Sequence, residues 1–243
     1  DHVQFLGNTL ESIATEKAGI IKPEVPVVIG EYTPETQPVF LAKAKENNAE
    51  IYFASDLILE TYLSDLIGDY QEHNKKTVIQ TFKILNEQTN FEVSNENIKS
   101  GLIKVVKNTG LLGRWQQLGE KPKVICDTAH NKNGLEIVMK QIQKETFENL
   151  HIVLGVVNDK ELDEVLPLFP KNATYYFCKP NIPRGLDASI IQEKAQHFAL
   201  NGNKYSSVTE AYIAAQNNST KNDFIYIGGS TFVVGELLIN KGV

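Results

Sequence analysis

The sequence predicts an α/β protein built from two successive units, the second of them Rossmann-like. Three observations carry that expectation. Short apolar runs bounded by Gly, Pro or polar clusters alternate with stretches of helical spacing, and the alternation restarts after Asn108-Thr109-Gly110. The length of 243 residues with 42% apolar content suits one large or two medium cores. Alternation of this kind implies parallel strands, because two parallel strands are joined by a crossover whose helix covers a face of the sheet.

In the first unit, Asn8 with Glu11 three positions on has the form of a capping box, and Leu10, Ile13, Ala14 and Lys17 follow at helical spacing up to Gly19. Val25-Pro26-Val27-Val28-Ile29-Gly30 reads as a strand, Pro34 opens a helical stretch to about Asn47, and Ile51-Tyr52-Phe53-Ala54 reads as the next strand. Residues 57–67 are less regular and are read as a strand. Helices are expected from Tyr70 to Leu85 and from Ser94 to Lys107, the latter capped by Ser94 or Asn95. In the second unit the strands are Lys123 to Cys126, His151 to Val157, Thr174 to Cys178 and Phe224 to Gly229. The intervening helices run from Lys132 to Lys144, Lys160 to Leu168, Asp187 to Leu200 and Val208 to Gln216.

The formal net charge of -6 supplies no basic stripe for nucleic acid and no polybasic patch for a membrane surface, which leaves small molecules and proteins as partners. No apolar run approaches the roughly 20 residues of a membrane span. The first residues lack a basic start and apolar stretch, so a cytoplasmic location is the expectation. Cys126 and Cys178 each sit inside an apolar run and read as buried thiols rather than a disulfide. Oligomeric state is not legible.

Asp127-Thr128-Ala129-His130-Asn131 falls where a strand ends and a helix begins, and open α/β sheets bind ligands at the carboxyl ends of their strands. A carboxylate there accepts hydrogen bonds from ribose hydroxyls, or equally caps the helix, and His130 can donate to a phosphate. Gly228-Gly229-Ser230 reads either as a close approach to a ligand or as a tight strand-to-helix turn capped by Ser230. Neither Gly-x-x-x-x-Gly-Lys-[Ser/Thr] nor Gly-x-Gly-x-x-Gly occurs in these residues.

Asp1-His2 and the run from Leu6 to Pro23, Gln71 and Asn74 within Gly68 to Asn74, Gly113-Arg114-Trp115-Gln116, and Asp127 to Asn131 at the family's spacing together resemble the folylpolyglutamate synthase and dihydrofolate synthase family of the Mur ligase superfamily. The resemblance implies that residues 1–109 are the later part of the central ATP-binding domain and 110–243 the Rossmann-like C-terminal domain, with Asn108 to Gly110 as hinge and the N-terminal phosphate-loop half lacking. It implies an ATP-dependent, magnesium-dependent ligase: a carboxylate of folate or dihydropteroate is phosphorylated, and L-glutamate displaces the phosphate to form an amide. Catalytic roles then go to Arg114, Lys17 and His130, and nucleotide contacts to Asn74, Arg114, Asp127 and His130. His2 becomes a magnesium ligand. Lys17, carbamylated, becomes an oxygen donor to a second magnesium ion.

Three departures from the family pattern stand out: Tyr70 and Lys75 in the helix-opening element, and Thr128 where Gly is commoner. A lone imidazole is a poor magnesium site, since that ion prefers oxygen ligands, so His2 needs partners from the lacking half. Two other readings remain open: a Mur-type cell-wall amino-acid ligase, and a non-catalytic nucleotide- or folate-binding module.

Overall fold

A computed structural model describes residues 7, 9–158 and 162–242. The chain forms two compact units, one reaching to Asp65 and continuing over Tyr70–Asn108, the other comprising Leu66–Asp69 and Thr109–Val243.

The first unit begins with helix α1 (Leu10–Ala18), whose cap is Thr9: its hydroxyl accepts from Ser12 N. The extended backbone at Thr9 brings that short side chain onto the third helical N–H, so the expected Asn8–Glu11 box does not start the helix. Asn8 itself lies outside the described residues. Strands β1 (Val27–Ile29) and β2 (Ile51–Phe53) pair in parallel, Val27 opposite Ile51, and helix α2 (Gln37–Glu46) connects them. Helix α2 starts later than Pro34 because Thr33 and Thr36 close a turn first, Thr33 N donating to Thr36 Oγ1 at 2.8 Å. Ala14, Ala18, Ile21 and Phe40 form the core here, against Val27, Ile29 and Ile51.

A single short helix, α3 (Ala54–Leu57), follows, and residues 58–67 are irregular rather than a strand. Among the described residues no strand pairs with them; isolated backbone bonds, such as Asp65 N to Leu102 O at 3.2 Å, and side chains take up their backbone groups instead. Lys75, 7% exposed on helix α4 (Gln71–Gln88), donates its ammonium to Tyr62 O at 2.8 Å and to Glu72, which also accepts from Thr61 Oγ1. The Lys75 ammonium first, and the Thr61 hydroxyl second, hold the Glu72 carboxyl below its usual range. Lys75→Met, which keeps the stem and removes the ammonium, is expected to free this segment at a cost of about 1–2 kcal/mol. The check is limited proteolysis within residues 58–67, which should accelerate about tenfold.

The helix expected from Ser94 to Lys107 is two helices, α5 (Asn95–Leu102) and α6 (Val105–Thr109). The break is made from outside: Asp65 accepts from Val105 N at 3.1 Å and from Val106 N at 3.0 Å and so starts a new helix. Ile58, Ile79, Ile98 and Leu102 close a second small core against Tyr62, Phe82 and Val93.

The second unit is a six-stranded sheet of order β3-β4-β8-β5-β6-β7. Its strands are β3 (Gln116–Glu120), β4 (Lys123–Cys126), β5 (Leu150–Leu154), β6 (Ala173–Phe177), β7 (Gly202–Lys204) and β8 (Phe224–Gly228). All pairings are parallel except β3 with β4. Strands β5 and β8 are buried along their whole length, as expected of central parallel strands covered on both faces. Helices α7 (Lys132–Ile142), α8 (Leu162–Val165), α9 (Ala188–His197), α10 (Val208–Asn218) and α11 (Thr231–Lys241) make the crossovers and the C-terminal cover. One sheet face, with Val124, Cys126, Val153, Tyr176, Ile225 and Ile227, packs on apolar residues of α10 and α11.

Where the long helix to Leu168 is expected, α8 gives way to a 3₁₀ turn over Leu166–Leu168, because Pro167 has no N–H to continue the α ladder. The strand expected to reach Val157 ends at Leu154, and Val157 pairs only as an isolated bridge with Gly185. The sequence reading assigns no strand to β3 or β7. Gly202 explains β7's composition: a Cβ there would lie 1.9 Å from Tyr175 O. Both cysteines are free and buried. Burial, with the Asp127 charge second, pushes the Cys126 thiol up to about 12, and burial pushes Cys178 up as well, so both stay protonated and inert. Among the described residues no helix is long and apolar enough to cross a membrane.

Candidate functional site

The two motif segments of the second unit meet where β4 ends. Thr128 N donates to Gly113 O at 3.0 Å, which seats the segment after β4 against the turn that leads into β3. That turn is unusual in its backbone: Gly113 has φ 72° and Trp115 has φ 48°, both left-handed, on either side of Arg114. Only glycine fits at 113, since a Cβ would come within 2.9 Å of Thr128 Cγ2 and of Val234 Cγ1. The Trp115 ring is buried, 2% exposed, with its centroid 6.5 Å from that of Phe224. Arg114 is exposed. The result is a fixed turn that holds a guanidinium out to solvent.

Asp127 is neither turned outward nor the cap of α7. Its carboxylate is 1% exposed, with Oδ2 accepting from Trp115 N at 2.6 Å and Oδ1 from Ala129 N at 2.7 Å. Two charge-assisted hydrogen bonds from the backbone offset the cost of burying the charge. The cap of α7 is Asn131, whose Oδ1 accepts from Gly134 N at 2.8 Å. His130 is half-buried, and its Nδ1 lies 2.9 Å from Thr128 O. A carbonyl only accepts, so Nδ1 is the nitrogen that carries a hydrogen in this contact. Thr128 is 6% exposed, and its Oγ1 has no hydrogen-bond partner among the described residues. Its methyl packs beside Gly113. Ser230 caps α11, accepting from Phe232 N at 3.1 Å, which realises the turn reading of Gly228-Gly229-Ser230.

The remaining candidates are in the first unit. Lys17 is exposed in the last turn of α1. Asn74 is exposed near the start of α4 and donates from Nδ2 to Oε1 of buried Gln71 at 2.9 Å. Lys75, where the family pattern has Ala, ties down residues 61–62 as described above. His2 lies outside the described residues. Among the described residues no three His, Cys, Asp or Glu side chains group as a metal cluster. The structure thus brings Arg114, Asp127 and His130 together and leaves Lys17 and Asn74 on separate helices of the other unit. Gln116 escaped the sequence reading as a site residue: its Oε1 accepts from Gly113 N at 2.7 Å. Only its place two residues after an exposed arginine hinted at such a part.

Comparison with known proteins places this geometry. Residues 113–231 match the Mur ligase, glutamate ligase domain family. The chain is 27% identical to the folylpolyglutamate synthase of Lacticaseibacillus casei over 96% of its own length and 58% of the relative's. It is 28% identical to the dihydrofolate synthase/folylpolyglutamate synthase of Escherichia coli K12 over 98% of its own length and 57% of the relative's. A solved structure of Mycobacterium tuberculosis folylpolyglutamate synthase, complexed with ADP and AMPPCP, superposes with a TM-score of 0.85 at 23% identity, covering 100% of this chain and 62% of that one. The chain therefore spans less than two thirds of the length of these relatives. Its α/β architecture is theirs, with a parallel-dominated sheet in the second unit; residues 113–231 belong to the Mur ligase, glutamate ligase domain family, and the chain is homologous to folylpolyglutamate and dihydrofolate synthases over nearly its whole length.

Proposed function

We propose that this chain is the part of an ATP-dependent ligase that holds the nucleotide's phosphates from the side of the C-terminal domain while L-glutamate is joined to a carboxylate of folate or dihydropteroate. The observation that carries the proposal is the exposed Arg114 on a turn whose backbone is fixed at both neighbours, beside His130 at the carboxyl edge of a parallel sheet. Open α/β sheets bind ligands at that edge. A planar guanidinium there pairs with phosphate oxygens and offsets the charge that develops as the γ-phosphoryl moves to the acceptor carboxylate. His130 lies against the same phosphates, where an imidazole N–H can donate to a phosphate oxygen. Asn74 supplies an amide for the adenine. Lys17, exposed on α1, is the residue we read as carbamylated, a change that turns a cation into an oxygen donor. ATP with a divalent metal as cofactors, and folate or dihydropteroate with L-glutamate as substrates, complete the reading.

The names of the relatives support the glutamate ligase reading over a cell-wall ligase. Positioning and exclusion of water are the protein's task in such chemistry, since an acyl phosphate is hydrolysed readily. The test is ADP formation by the full-length protein with dihydropteroate or a reduced folate as acceptor and L-glutamate as amine. Turnover that requires both substrates is the expected result; turnover on a cell-wall precursor instead overturns it. The 243 residues alone carry no Gly-x-x-x-x-Gly-Lys-[Ser/Thr] loop. We propose that they turn over no ATP by themselves, and glutamate-dependent ADP release by the pure chain overturns that.

A further inference from the structure

We infer that Gln116 and Asp127 are positioning residues for Arg114: they grip the two backbone amides that flank it and hold the turn in a conformation its own side chains disfavour. The inference rests on the reading of Arg114 as the phosphate-binding group. A bulky aromatic residue at φ 48° is a genuine backbone outlier, and such strain persists only where the surroundings over-determine it. Here they do. On the N-terminal side Gly113 N donates to Gln116 Oε1 at 2.7 Å and Gly113 O accepts from Thr128 N at 3.0 Å. On the C-terminal side Trp115 N donates to Asp127 Oδ2 at 2.6 Å, and the other oxygen of Asp127 is anchored by Ala129 N at 2.7 Å. The buried Trp115 ring nails the turn to the core.

These ties converge on a residue that is itself exposed. A bond set of this kind serves Arg114 by fixing where its backbone starts, which removes the freedom that an arginine on an open loop would lose on binding. Asp127 acts in this scheme through the amide of Trp115: its carboxylate is buried and engaged on the chain's own backbone. Gln116 plays the matching part from the other side with an amide oxygen.

Trp115 is the only tryptophan in the chain, so its emission reports on the turn directly. In the 243-residue chain, Gln116→Leu is expected to shift that emission to the red and to make it more accessible to acrylamide, whereas Gln116→Glu, which keeps an acceptor, retains the buried emission. Asp127→Asn, which can satisfy only one of the two amides, should give the same red shift as Gln116→Leu. In the full-length protein, Gln116→Leu is expected to lower kcat for ADP formation about tenfold with KM for glutamate unchanged, and to add no further loss when Arg114 is already Ala. Unchanged emission in Gln116→Leu overturns the inference, and so does a loss of kcat that persists undiminished in the Arg114→Ala background. If the full-length protein shows no ligase activity, the proposed function fails, and the emission comparison still decides whether the clamp exists.

Discussion

Arg114→Ala in the full-length protein is expected to lower kcat about a hundredfold to a thousandfold, the usual cost of deleting one preorganised donor at a developing charge. Folding should be almost untouched. The side chain is exposed, no hydrophobic cluster includes it, and its neighbours are held by backbone hydrogen bonds that Ala preserves. Exposed substitutions of this type change stability by about 0.5 kcal/mol or less. Arg114→Lys should recover only part of the rate, because an ammonium keeps the charge and loses the planar two-point contact. The measurement pairs ADP-release kinetics with thermal unfolding. A large fall in melting temperature alongside the fall in kcat would make Arg114 a structural residue and sink the phosphate-binding reading.

Asp223→Ala is expected to destabilise the second unit by about 1–3 kcal/mol, the range for deleting a hydrogen-bonded carboxylate whose donors lose their acceptor. Asp223 sits just before β8, at the end of the sheet opposite Arg114, and is 3% exposed. Its Oδ1 accepts from Asn149 N and Nδ2, both at 3.0 Å, and its Oδ2 accepts from Thr220 N at 2.7 Å. His151 Nε2 lies 3.4 Å from Oδ2, while His151 Nδ1 is 3.0 Å from the Tyr176 hydroxyl, which also accepts from Asn218 Nδ2. Alanine removes the acceptor of the Asn149 and Thr220 donors and leaves the buried His151 without its carboxylate partner.

The same network gives a pH dependence. Burial raises the Asp223 carboxyl, but the hydrogen bonds from Thr220, Asn149 and His151 outweigh it and hold the group below its usual range. A folded-state value below the unfolded one means a contribution fully present above the ordinary carboxylate value of about 3.9 and lost as pH falls from there through the lowered folded value. Denaturant unfolding at stepped pH is the check. The parent should lose stability over that acid window more steeply than Asp223→Asn, which has no charge to lose there; parallel curves would remove Asp223 from the account of acid stability.

The positions of most elements were legible because burial writes itself into local pattern. The runs around Ile125, Ile152, Tyr176 and Ile225 are apolar on both sides and became the central strands. Polar edge elements were not legible. Strand β3, Gln-Gln-Leu-Gly-Glu, has no apolar alternation and exists because β4 offers it an antiparallel partner. Strand β7 rests on Gly202 lying against Tyr175. The irregularity of residues 58–67 was visible, but its cause, a lysine ammonium thirteen residues away, was not.

The candidate site divides along the same line. That Gly113-Arg114 and Asp127 to Asn131 form one constellation was legible only through the resemblance to the family's motifs; in the fold the two segments touch through Gly113 O and Thr128 N. What each side chain does there was not readable. A carboxylate at a strand end serves a ribose, a helix or its own backbone equally well, and the choice depends on which donors the fold carries to it from elsewhere in the chain. Here the donors are Trp115 N and Ala129 N. Sequence by itself determined the α/β class and the resemblance to the folylpolyglutamate and dihydrofolate synthases, because those depend on periodicity and on motifs local to the chain. Only tertiary structure decided the roles of Asp127, Gln116 and Lys75, because the strength of a hydrogen bond is set by the distance and burial of groups that sequence separation does not reveal.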